Sequence, residues 1–110
     1  MLNDLVKQVH ENAVLKGWWD EKRSPLEIHA LIHSEVSEAT EAVRGKQEDF
    51  YSTYDLAGNK KPEGQSVELV DAVIRIMDYF GERGWNFEEV LKAKMAYNTT
   101  RPHRHGGKAY

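Results

Sequence analysis

The chain has 110 residues, with 15 Lys plus Arg against 18 Asp plus Glu, a formal charge of -3, and no cysteine. That length holds one domain with one core, and it is short enough for an oligomer interface to matter to stability. The charge balance gives no general reason to bind duplex nucleic acid or an anionic membrane, and the lack of cysteine excludes disulfides and thiolate sites, so any metal is held by oxygen or nitrogen.

The opening stretch, MLNDLVKQVHENAV, has helical rather than signal-peptide character. Leu5, Val6, Val9 and Ala13 recur at helical spacing from about Asn3 to Lys16, and Gly17 stops the run. A polar connection follows, opened by Trp18 and Trp19; one ring is expected in the core, and the other is available to stack on a nucleobase. Ser24-Pro25-Leu26-Glu27 starts a second helix, with Ser24 as N-cap, Pro25 at the first helical position and Glu27 able to complete a capping box. This helix should end near Gly45. From about 46 to 65 the pattern dissolves into a charged stretch containing Gly58, Pro62 and Gly64, which reads as a flexible loop. A third helix is expected from about Val67 to Glu82, closing at Gly84. A fourth begins after Asn86 as N-cap, with Trp85 placed to staple onto Val90, and runs to about Tyr97 or Thr100. The basic tail, about 101–110, contains Pro102, Gly106 and Gly107 and is not helical. No β-type alternation stands out, and no apolar run approaches the ~20 residues needed to span a bilayer. The expectation is an all-α, four-helix domain in the cytoplasm.

Two acidic motifs, Glu35-x-x-Glu38 and Glu68-x-x-Asp71, dominate the pattern. Residues three apart share one side of a helix, so packing the second and third helices together gathers four carboxylates. Ile28, Leu31, Ile32, Glu35, Ala39 and Ala42 share one face, with Glu38 at its edge, so Glu35 occupies a core position. An unpaired carboxylate costs several kcal/mol to bury, on the order-of-magnitude scale for ions, so such a helix is expected to line a site. On the third helix Glu68, Asp71, Arg75 and Asp78 form a narrow stripe beside a wide apolar arc, which predicts a mostly buried element. Oxygen donors without cysteine favour Mg²⁺ or Mn²⁺ over zinc, and no Glu-x-x-His motif supports a di-iron bundle. His29 and His33 have i, i+4 spacing but point away from Glu35. His103 and His105 fall on the basic tail. Lys94, Asn98 and Arg101 recur at helical spacing, as basic charge at a helix end or as phosphate ligands.

The order Glu35-x-x-Glu38, Glu68-x-x-Asp71, then Lys94, Asn98 and Arg101, resembles the MazG-like nucleoside triphosphate pyrophosphohydrolases of the all-α NTP pyrophosphatase superfamily. The resemblance runs through KGWWDEKRSPLEIHALIHSEVSEATEAVRGK, VELVDAVIRIMDYFGERGW and KMAYNTTRPHRHGGK. It implies a four-helix MazG-like bundle assembled as a homodimer or homotetramer. It also implies Mg²⁺-dependent hydrolysis of a nucleoside triphosphate to a monophosphate and pyrophosphate by metal-activated water. Glu35, Glu38, Glu68 and Asp71 then become the metal ligands and the catalytic set. Lys94, Asn98 and Arg101 become phosphate contacts, Arg75 either neutralises a carboxylate or touches phosphate, and Trp18 is a candidate wall for the base. Two alternatives stand beside this reading: a dUTPase-like or dCTPase-like enzyme with the same metal chemistry, and a non-catalytic helical oligomer that binds nucleotide or metal.

Overall fold

Side-chain caps mark the start of two of the helices of this chain. In the computed structural model, which describes residues 1–103, the helices are α1 (Leu2–Leu15), α2 (Pro25–Arg44), α3 (Gln65–Arg83) and α4 (Phe87–Thr100). Between α2 and α3 lie two short strands, β1 (Tyr51–Tyr54) and β2 (Lys60–Glu63). Ser24 Oγ accepts from the Glu27 N–H over 3.2 Å and starts α2 as expected. The Glu27 carboxylate, however, engages the Arg23 guanidinium instead of turning back to complete a capping box. Asn86 Oδ1 accepts from the Glu89 N–H at 3.0 Å and starts α4.

The stretch 46–65, expected to be a loop, is an antiparallel hairpin. Tyr51 pairs with Glu63, Ser52 with Pro62, Thr53 with Lys61 and Tyr54 with Lys60. Asp55 makes the turn: its Oδ1 accepts from Ala57 N and Asn59 N at 2.9 and 2.8 Å, and Gly58 takes the left-handed conformation at φ 84°. Only Tyr51 and Glu63 are half-buried, so neither strand shows the hydrophobic alternation by which strands are recognised. The hairpin leads directly into α3. The Asp49 carbonyl accepts from Ser66 N at 3.1 Å and Ser66 Oγ at 2.7 Å, which starts this helix two residues earlier than expected.

Gly64, between β2 and α3, has φ 114° and ψ 171°, a region essentially reserved for glycine. A Cβ there would run into the Asp49 carbonyl and lie 2.7 Å from the Glu48 oxygen. A second close approach joins α3 to α1: a Cβ on Gly81 would lie 2.5 Å from the His10 Cβ.

Helix α3 is the central element, packed against α2 on one side and α1 on another. The core is small, consisting of Val6, Ile28, Ala39, Ala42, Ala72 and Tyr79, with Glu35 buried among them. Part of α3's apolar arc, Leu69, Val70, Val73 and Ile74, is instead exposed in the single chain. Trp85 packs edge-on against Tyr79 and Phe80, while Val90, its expected staple partner, stays half exposed.

Helix α4 buries none of its residues. It meets α1 through a reciprocal cap in which Asn3 Oδ1 accepts from Glu88 N at 3.0 Å and Glu88 Oε1 accepts from Asn3 N at 3.1 Å. Each side chain thereby satisfies an orphan donor at the start of the other helix. The described residues are thus mostly helical with one small sheet, and among them no helix is long and apolar enough to cross a membrane. Of the basic tail, residues 101–103 are described; His105 lies outside the described residues.

Candidate functional site: an acidic cleft between α2 and α3

Glu35 follows Ile28 by seven residues and precedes Ala39 by four, so it shares their buried face of α2 and is only 8 % exposed. The facing stripe of α3 supplies Glu68 and Asp71. Glu35, Glu68 and Asp71 each place a carboxylate oxygen within 4.8 Å of the others, close enough to share one cation.

The protonation equilibria register this crowding. Burial, then the hydrogen bond and charge of Glu38, then the charges of Asp71 and Glu35, push the Glu68 carboxyl up to about 6. Asp71 is also raised, first by burial and then by the charge of Glu35, while Arg75 acts in the opposite sense. Glu38 stays exposed, outside the tight group of three but acting directly on Glu68. Its place at the edge of the α2 face explains this. There it shares an open groove with Gln47, Tyr51 and Glu63 at the base of the hairpin.

Beside the carboxylates, a cleft of about 280 Å³ is lined by Trp18, Glu35, Asp71, Arg75, Val9 and Ala13, among others. Trp18 is 39 % exposed and carries two guanidinium groups, those of Arg75 and Arg23, at 4.7 and 5.0 Å from its ring centroid. Trp19 has a different role. Its Nε1 donates to both oxygens of Asp78, at 2.9 and 3.1 Å, and His10 Nδ1 lies 2.8 Å from Asp78 Oδ1, so Asp78 ties the Trp18-Trp19 connection and α1 to α3.

Arg75 donates through Nε to Glu35 Oε1 at 2.7 Å, which favours the carboxylate-neutralising role over phosphate contact. Lys94, Asn98 and Arg101 are not gathered into this cleft. Lys94 and Asn98 lie on α4 and Arg101 just past its end; within the chain α4 packs against α1, and the cations of Lys94 and Arg101 sit over the Tyr97 ring at 5.0 and 5.6 Å. His29 meets the edge of Tyr79 and His33 is exposed, so neither joins the carboxylates. The sequence reading overlooked Arg23 and the pairing of Asp78 with His10. Asp78 had a signal, as the last residue of the polar stripe on an otherwise apolar helix.

Comparison with protein-family models, with curated proteins and with solved structures returned no match.

Proposed function

We propose that this chain is a Mg²⁺-dependent nucleoside triphosphate pyrophosphohydrolase, which converts a (d)NTP into its monophosphate and pyrophosphate. The observation that supports it best is the convergence of Glu35, Glu68 and Asp71 from two helices, with Glu38 bearing on Glu68. An all-carboxylate donor set suits a hard dication such as Mg²⁺ or Mn²⁺, and Glu35, Glu68 and Asp71, with Glu38 beside them, would hold it. When bound, such an ion neutralises triphosphate charge and activates water.

The residues themselves account for the rest. Glu38, exposed at the edge of the cluster and bearing on Glu68, is the carboxylate placed to accept a proton from water beside the ion. Trp18 offers an aromatic wall beside the carboxylates, and a base that stacks there takes the place of the Arg23 guanidinium. Lys94, Asn98 and Arg101 would serve phosphate if another copy brought them to the cleft. Assembly into a homodimer or homotetramer, with its helices forming a four-helix MazG-like bundle, is therefore part of the proposal. The exposed Leu69, Val70, Val73 and Ile74 support it.

The dUTPase-like or dCTPase-like alternative shares this metal chemistry and differs only in the base. A non-catalytic nucleotide-binding or metal-binding oligomer would hold the same ion and release no product. The test is a panel of canonical and modified NTPs with Mg²⁺, scored for pyrophosphate against orthophosphate. Pyrophosphate release, lost with chelator, is expected; orthophosphate release or no turnover across the panel rejects the assignment.

A further inference from the structure

Arg75 is held from two directions. Its Nε donates to Glu35 Oε1 over 2.7 Å, and its guanidinium carbon lies 4.7 Å from the Trp18 ring centroid. The Arg75 and Glu35 side chains are only 25 % and 11 % exposed, so the ion pair is well shielded from water. A guanidinium is planar and stacks on aromatic faces, so the indole restrains its plane while the carboxylate restrains its position. Glu35 in turn has one oxygen committed to Arg75, which leaves its remaining lone pairs for an ion shared with Glu68 and Asp71. The charges also match. Three carboxylates and one guanidinium leave two negative charges in the tight group, which one dication balances.

We propose that Arg75 is a positioning residue for Glu35, and that Trp18 locks Arg75 in place, so that an indole ring sets the ion affinity of the carboxylate cluster without touching the ion. The inference rests on the metal-binding reading above and assigns Arg75 to the ligand rather than to phosphate. A guanidinium that merely competed with an ion for Glu35 would behave in the opposite way: it would weaken ion binding, so its removal would tighten it. A partner that orients a ligating carboxylate strengthens binding, and losing such a partner typically costs about 10–100-fold in metal affinity.

The experiment measures Mn²⁺ binding to the full chain by calorimetry, with the electron paramagnetic resonance spectrum of the bound ion recorded in parallel. Arg75→Gln is expected to weaken binding by about 10–100-fold and to alter the bound-ion spectrum. Arg75→Lys should recover part of the affinity, since it keeps the charge and loses the planar stack. Trp18→Leu should weaken binding by a smaller factor, with its thermal unfolding close to wild type. Unchanged or tighter binding in Arg75→Gln overturns the proposal. If that variant does not fold, Trp18→Leu decides: affinity equal to wild type overturns it. Wild-type protein that takes up no Mn²⁺ sinks the metal reading itself, whereas binding in the wild type that ignores Arg75 sinks only this inference.

Discussion

Glu68 is the carboxylate of the cleft most altered by its surroundings, and the sign of its effect on stability is specific. Its carboxyl is raised from 4.5 to about 6, so the folded chain binds this proton more tightly than the unfolded chain does. The favourable contribution is present in full below about 4.5 and is lost as pH rises through about 6. Thermal unfolding in chelator should therefore show wild type losing stability across that window relative to Glu68→Gln; parallel pH profiles would count against the crowded cluster. Saturating Mg²⁺ should reverse the trend, because the ion needs the deprotonated carboxylates and stabilises whatever state binds it. Glu35 was legible in the sequence because a glutamate on a face otherwise made of Ile, Leu and Ala occupies a position that is costly to fill with an ion. The partner of Arg75 was not legible: the stripe fixes its side of α3 but not whether a carboxylate or a phosphate meets it. Trp18 and Trp19 are adjacent, so periodicity could not separate them; Asp78 does so, by capturing the indole N–H of Trp19.

Among the elements, the helices were readable because their boundaries are chemical: Ser24, Asn86, Gly45 and Gly84 sit where the expected caps belong. The hairpin was not, because strands of four residues with almost every side chain exposed carry no burial pattern. Its signals were the β-favouring Tyr-Ser-Thr-Tyr and the turn formed by Asp55 and Gly58. Gly64 joins this hairpin to α3 four residues before Glu68. Gly64→Ala should cost about 1–3 kcal/mol from backbone strain alone, with the clash against Asp49 adding to it. It should also weaken Mg²⁺ binding, since α3 can start only by shifting away from Asp49. Chemical denaturation and a metal titration would check both effects, and wild-type values in the two would dissociate the hairpin from the site.

For the whole molecule, the width of α3's apolar arc was visible in the sequence, and it exceeds what one chain covers. A single chain covers only part of it, leaving Leu69, Val70, Val73 and Ile74 exposed. No side chain among the described residues is fully buried, which is a thin core for a domain of this size. Val73→Lys should therefore convert an assembled wild type into monomers with the helical circular dichroism preserved, as read by light scattering after size exclusion. A wild type that is already monomeric would remove the basis for sites completed between copies.

The reciprocal cap between Asn3 and Glu88 has a mechanical consequence for that assembly. It clamps α4 at its first turn, and no side chain beyond is buried, so the remainder of the helix behaves as a cantilever fixed at one end. At 1.5 Å per residue its 14 residues extend about 21 Å, and a tilt of about 10° at the clamp swings the far end by roughly 4 Å. Arg101 and Asn98 ride on that free end, so the joint near the N-terminus, far along the chain from either acidic motif, sets how far the cationic tip can travel.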